Sequence, residues 1–258
     1  MSRLPAAGGA HLVVLRNVWV HKGGTPWTMA LFSVYEPILY LLAMGVGVGA
    51  LVGRVPGVDV PYAAFIAPAL LATAMMNSAL EETTQTVYGK LAFDRYYHSL
   101  LVTPVTIRGM VAGELLWAVL RALVTGVGFL VVIVAFGLAR SPLVILAVPA
   151  GLLTAFAFGA AGLAAAAYAR GWHSFQYVQL VMLPMFLFAT TFYPVTVYTG
   201  WVRVLVEALP LYHAIELSRG LALGEVGPGL LLNAAYLLAF GGVMLAVAQA
   251  RWTTLMAR

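Results

Sequence analysis

The side chains able to do acid–base, nucleophilic or metal chemistry are few in this chain and widely dispersed. Its nine carboxylates include one adjacent pair, Glu81 and Glu82. On a helix these two point in different directions, which suits no general acid and base acting together on one substrate. The five histidines, His11, His21, His98, His173 and His213, keep no metal-ligand spacing to one another or to a carboxylate. The absence of Cys removes disulfides, thiolate nucleophiles and thiolate ligands, and no Ser lies in a nucleophile elbow. Gly89-Lys90 is followed by Leu91 and lacks the upstream Gly and the Ser/Thr of a phosphate-binding loop. The Gly-rich run Met44–Ala50 lies in an apolar stretch and reads as a packing surface. No catalytic site, metal or cofactor is expected here, so any ATP that drives this protein is bound, with Mg, on another chain.

A second kind of chemistry is more promising, because several charges fall where charges are costly. Of 258 residues, 62% are hydrophobic and 9% charged, against about 25% charged in soluble domains. Such a chain cannot cover its surface in water and is expected to be all-α and embedded in a membrane. The length accommodates six spans of about 20 to 25 residues as one bundle, with no room for a separate catalytic domain. An ionisable group near the centre of a bilayer costs about 2.5 to 3.5 kcal/mol. Glu36 lies about nine residues into the first span, beside Pro37, which frees a backbone carbonyl one turn earlier. It reads either as a gating or pathway carboxylate or as a Glu paired inside the bundle. Glu114 and Arg121 are seven residues apart and share a helix face, too far along the axis for a direct bond. Each therefore needs a partner on another helix, with Glu82 or Glu81 the candidate for Arg121, unless both snorkel to the interface.

The elements that hold these groups follow from hydropathy. Residues 10–22 read as an amphipathic helix on the membrane surface, with Leu12, Leu15 and Trp19 opposite Arg16, Asn17 and His21. The first span runs 27–52. The second starts near Pro61 and is ended at Leu80 by Glu81 and Glu82, leaving 81–108 as a polar connection. The third begins near Met110 and is uncharged from Ala122 to Ala139. The fourth, 143–169, carries Gly151, Ala155 and Gly159 at four-residue spacing, a groove for close helix approach. The fifth runs 175–192 with a kink at Pro184, and the sixth 228–249. Between these last two, 202–211 and 212–223 are each too short to cross. They are expected to form an outer re-entrant helical hairpin. In domain terms this is one membrane domain over 1–258: an interfacial segment 1–26, a six-helix bundle 27–250 and a tail 251–258. With the N-terminus inside, nine Lys and Arg face inward and four outward, so both termini are expected on the cytoplasmic side of a bacterial inner membrane. The charge of +5 is expected to contact anionic lipid and not nucleic acid.

Several segments in this order resemble the type-2 ABC exporter permeases, especially the branch of nodulation-factor export and drug-resistance permeases. Pro210, Leu211, His213 and Arg219 match the family's late signature, and Phe188 with Phe192-Tyr193-Pro194-Val195 resembles its aromatic-Pro turn. Glu36-Pro37 before the Gly-rich first span, Leu101–Pro104, and Gly113-Glu114 with Arg121 are similar to further elements. The resemblance extends over residues 27–250. Two departures, Tyr198-Thr199 for an expected Leu-Pro and Pro68-Ala69 for Pro-Gly, bear on substrate preference and not on the fold.

The resemblance implies a permease dimer, of two identical copies or a copy and a paralogue, joined to two ABC ATPase subunits. It places Asp94, Arg95, Tyr96 and Tyr97 at the ATPase contact and His213, Glu216 and Arg219 at the outer gate. Glu216 and Arg219 could instead pair simply to hold the hairpin. Phe188, Phe192, Tyr193, Tyr198 and Trp201 would line the exit of a lipid-like, glycolipid, polysaccharide or amphiphilic drug substrate. An ion-coupled secondary transporter and a non-transporting assembly subunit remain the alternatives.

Overall fold

The computed structural model describes residues 8–22, 35, 38–55, 58–93, 96–100 and 102–256. Glu36, Pro37, Asp94 and Arg95 lie outside the described residues, as does the N-terminal part of the expected first span.

Among the described residues the chain is helical, and its one extended pairing is a single antiparallel bridge between Arg54 and Pro61. In chain order the helices are α1 (Ala10–Lys22), α2 (Ile38–Val52), α3 (Tyr62–Ala92), α4 (Tyr96–Leu100), α5 (Ile107–Ala135), α6 (Pro142–Tyr168), α7 (Ser174–Phe188), α8 (Gly200–Glu207), α9 (Pro210–Leu223) and α10 (Pro228–Met256). Four of them, α3, α5, α6 and α10, are long and apolar enough to cross a membrane, against the six spans expected. The described part of the first span is the shorter α2, π-helical over Leu41–Val48. The expected fifth span is corrected to α7, which has 15 residues and stops at Phe188. It stops there because Thr190 adopts a left-handed φ of 65°, a conformation no helix continues through.

The second span differs more. Glu81 and Glu82 do not end it. The helix runs on for a further ten residues to Ala92, passing through a π-helical turn over Glu82–Thr86. Widening the turn frees carbonyls, and neighbouring hydroxyls take them up: Thr83 donates to Ala79 O (2.7 Å) and Thr84 to Leu80 O (2.5 Å). Much of the expected 81–108 connection is therefore helix. Downstream, Thr106 caps α5 by accepting from Gly109 N at 3.0 Å, so that helix starts one turn ahead of Met110.

α6 sits at the centre and packs against α3, α5, α9 and α10. Between apolar helices in lipid the driving force is close packing, and small residues supply it. A Cβ added at Gly151 would collide with Met75 Sδ of α3, so this glycine leaves room for the Met75 side chain where α3, α5 and α6 meet. α1 lies against α5 in the same way, because a Cβ on Gly113 would stand 2.8 Å from Ala10 O. α7 is the exception. Of its side chains only Phe175 and Met185 are buried, and Tyr177, Leu180, Val181 and Leu183 are exposed. Short helices α8 and α9 form where two were expected. α9 is seated in the bundle through Leu211, Ala214 and Ile215, whereas α8 keeps Trp201, Val204 and Leu205 on the outside.

Candidate functional site

Two clusters of buried charge and one lateral groove stand out. The first cluster forms where α1, α3, α4 and α5 meet. Glu114, Trp117 and Arg121 lie at i, i+3 and i+7 on one face of α5. The Glu114 carboxylate, 1% exposed, accepts from Lys90 Nζ (2.8 Å), Asn17 Nδ2 (3.1 Å) and the Tyr97 hydroxyl (3.0 Å). Glu82 enters from the π-helical turn, where it accepts from Trp117 Nε1 at 3.0 Å and is ion-paired to Arg121. Lys90 Nζ lies 4.0 Å from Glu82 and also donates to Asn17 Oδ1 at 3.2 Å. Two carboxylates thus face two cations, with every oxygen engaged. That balance is what allows buried charge to persist. Burial first, and then the Glu114 carboxylate, push the Tyr97 phenol well above its ordinary value, which keeps it a proton donor.

One expectation changes here. Arg16, Asn17 and His21 do not turn away from the bundle. Asn17 is fully buried and ties α1 into the cluster, and His21 packs its ring 4.8 Å from Trp117, while Leu12, Leu15 and Trp19 are the exposed side chains. The reason is that Gly113 lets α1 approach close enough for Asn17 to reach Glu114. Of the sequence-singled residues, the structure brings together Glu82, Glu114, Arg121 and Tyr97. Tyr96 stays at the rim under the Arg16 guanidinium, 4.2 Å from the ring centroid. Asn17, Lys90 and Trp117 were not foreseen as site residues. The available signal was the need for a cation near Glu114.

At the opposite end of the bundle, Arg219 of α9 is 5% exposed. It donates to Glu216 (2.5 Å), to Thr190 O (2.6 Å) and to Phe65 O (3.4 Å), and sits over the Phe65 ring at 3.9 Å. Thr190 returns a bond from its hydroxyl to Glu216 at 3.2 Å, which fixes the left-handed turn ending α7. His213, grouped with this pair from sequence, points elsewhere. It meets Asn233 of α10 at 2.8 Å and stacks on Tyr236 at 3.8 Å. The three residues expected at an outer gate therefore make two separate contacts on either side of α9.

The groove runs between α3 and the loosely packed α7. A cavity of about 190 Å³ reaches Tyr40, Thr73, Phe129 and Phe186, and a second of about 210 Å³ reaches Glu81, Gln85 and Phe175. They share Asn77, Gln179 and Met182, so they are one surface, polar toward Glu81 and apolar toward Phe186. Asn77 and Gln179 escaped the sequence reading because it followed charges, and these are uncharged polar residues in apolar helices. A third cavity, about 340 Å³, lies beyond α2 and includes Tyr62, Phe192 and Tyr193. The aromatics expected to line an exit are thus brought together only in part. Tyr193 and Tyr198 join hydroxyls at 2.8 Å, whereas Trp201, 73% exposed, stands apart.

An all-helical bundle with four membrane-length apolar helices and charges neutralised within it is a multi-pass membrane protein. Comparison with known proteins narrows this. The ABC-2 type transporter family matches residues 12–223. Nodulation protein J of Sinorhizobium fredii (strain NBRC 101917 / NGR234) is 36% identical over 238 residues, covering 92% of this chain and 90% of that protein. Nodulation protein J of Rhizobium leguminosarum bv. trifolii is 34% identical over 87% of this chain and 86% of its own. The inner membrane transport permease YadH of Escherichia coli (strain K12) is 24% identical over 79% and 80%. The chain belongs to the ABC-2 type transporter family and is a transport permease. Permeases of this family are transmembrane components without catalytic activity that work with an ABC ATPase partner.

Proposed function

We propose that this permease, with a second copy or a paralogue and two ATPase subunits, exports an amphiphile with an apolar tail and a hydrogen-bonding head: a lipid-like or glycolipid molecule, a polysaccharide on a lipid, or an amphiphilic drug. The observation that carries the reading is the α3–α7 groove, which grades from Glu81, Gln85, Asn77 and Gln179 to Phe129 and Phe186. A head group finds donors and acceptors at one end, and an acyl or ring system finds apolar walls at the other. Phe192 and Tyr193 offer faces and edges farther out. Phe188, Tyr198 and Trp201 complete the exit only when the second copy is present. Both termini are taken to lie in the cytoplasm, with α8 and α9 as a hairpin on the outer side.

Coupling to ATP enters through Asp94, Arg95, Tyr96 and Tyr97. Tyr97 gives this segment a rigid route inward, because its hydroxyl holds Glu114, and Glu114 holds α1 and α3. A tilt of the ATPase pair would be passed to the helix that lines the groove. In this reading the outer Arg219–Glu216 pair keeps α9 closed over the exit until α3 moves. Glu36 remains a pathway carboxylate in the proposal.

The test is the ATPase activity of the permease–ATPase complex reconstituted in vesicles. Asn77→Leu and Gln179→Leu should each raise the substrate concentration for half-stimulation up to about tenfold, the loss of one hydrogen bond, with basal hydrolysis unchanged. Arg95→Ala should abolish stimulation. Unaltered stimulation in the groove variants refutes the path, and in Arg95→Ala refutes the coupling assignment.

A further inference from the structure

We infer that the cleft between α1, the end of α3 and the start of α7 is a binding site for the head group of an anionic phospholipid. The cleft, of about 440 Å³, is lined by Arg16, Asn17 and His21 of α1, by Gly89 and Lys90 of α3, and by Phe93 and Trp172 at its rim. No acidic side chain lines it among the described residues.

The charge count decides what the cleft takes. Beneath it Lys90 and Arg121 are matched by Glu114 and Glu82, so the cluster is neutral. Arg16 is additional. Among the described residues it contacts the Asn17 amide oxygen (3.1 Å) and the Tyr96 ring, with no carboxylate in ion-pair reach. Among the described residues one fixed positive charge is therefore left over, enough for one phosphodiester. Donors also remain. The guanidinium has five N–H groups and uses one on Asn17. His21 spends Nδ1 on the Asn17 carbonyl at 2.8 Å, and its other ring nitrogen has no hydrogen bond among the described residues.

The rim argues for a lipid and against a free anion. Trp172 and Phe93 stack with centroids 6.0 Å apart, and Tyr88 and Phe175 meet Trp172 edge-on. Trp172 is 48% and Phe93 65% exposed. Val20 and Trp19 are exposed on the adjoining face of α1. Apolar aromatic bodies around a cationic floor are the arrangement expected at the head-group level of a bilayer. A soluble phosphate would gain nothing from them.

The test is lipid binding by the full chain in detergent, followed by native mass spectrometry with dioctanoyl phosphatidylglycerol, dioctanoyl phosphatidylcholine or inorganic phosphate. Phosphatidylglycerol should bind about fivefold more tightly than phosphatidylcholine, the worth of one arginine at an anionic head group. Arg16→Gln should erase that preference while leaving phosphatidylcholine binding as it is. Arg16→Lys and the distant Arg140→Gln should keep it. In wild-type protein, phosphatidylglycerol brominated on its chains should quench tryptophan emission more than the brominated choline lipid, a readout that needs no variant. The inference is overturned by an equal preference for the two lipids, by a preference that survives Arg16→Gln, or by equal quenching. Displacement of the lipid by millimolar phosphate would assign the cleft to a soluble anion instead.

Discussion

Glu114 ties one end of the bundle together, because three donors from three helices converge on its two oxygens. Removing one member of a buried ion pair leaves the other uncompensated and costs about 3 to 5 kcal/mol. Glu114→Gln should therefore lower stability by that order in micelle denaturation. Adding Lys90→Met, which removes the stranded cation, should recover a good part of the loss; equal damage in single and double variants would show that the pair is not coupled. Tyr97 offers a pH test. Its folded pKa is raised above the ordinary phenol value of 10.0, so above that pH the unfolded chain sheds a proton the folded chain retains. Stability then falls as pH rises. Tyr97→Phe removes this slope and should flatten the stability curve above pH 10 relative to the wild type, at a cost below it of about 1 to 3 kcal/mol for a carboxylate oxygen left short of a donor. At this scale the sequence disclosed which groups needed partners, since a charge inside an apolar span announces itself. The pairing of Arg121 with Glu82 could be offered as one of two options. The roles of Lys90 and Asn17 could not be read, because neither looks out of place in a polar stretch, and only the approach of α1 to α5 makes them neighbours of Glu114.

Helices are set by two different signals, and they were unequally legible. Long apolar runs gave the existence of α3, α5, α6 and α10, with the ends of α5 and α6 within a few residues of those expected and those of α3 and α10 farther on, and a failed run length gave α8 and α9 as short helices. Errors arose where a local polar signal was overruled by a distant partner. Glu82 ends a helix only if its charge must reach water. Paired to Arg121, it stays inside and the helix continues. The end of α7 was missed for the converse reason, as Thr190 holds its left-handed turn through bonds with Glu216 and Arg219 that lie some 26 and 29 residues away. The small-residue face of α6 was readable, because Gly and Ala spacing directly encodes how near another backbone can come. It makes a quantitative demand. Gly151→Leu places a branched side chain where Met75 already sits, and overpacking of this kind costs about 1 to 3 kcal/mol. Thermal unfolding should show the loss, and Met75→Ala in the same chain should restore part of it. A substitution at Gly171, around which a Cβ meets nothing within 4 Å, should be close to neutral.

For the molecule as a whole, the question is which lateral surface meets lipid and which meets another protein. α10 is membrane-length and exposes Leu231, Leu232 and Leu238, while its other side is fixed to α6 by Trp252, which donates to Leu163 O at 3.1 Å. α7 is different: only 15 residues long, barely attached, and bordering a groove with polar rungs at Asn77 and Gln179. Lipid gives no partner to those rungs, whereas a second copy placed across α7 would close the groove into a path between two permeases. A two-fold axis there brings a residue near its own counterpart. The chain has no cysteine, so a single introduced thiol reports on its surroundings without a background. Leu180→Cys and Leu183→Cys, both on the exposed side of α7, should form disulfide-linked dimers in membranes under mild oxidant, since bridging requires Cα atoms within about 7 Å. Leu232→Cys on α10 should remain monomeric and react with a lipid-soluble maleimide. Cross-linking confined to α10 would place the seam on the opposite face and remove α7 from the substrate path.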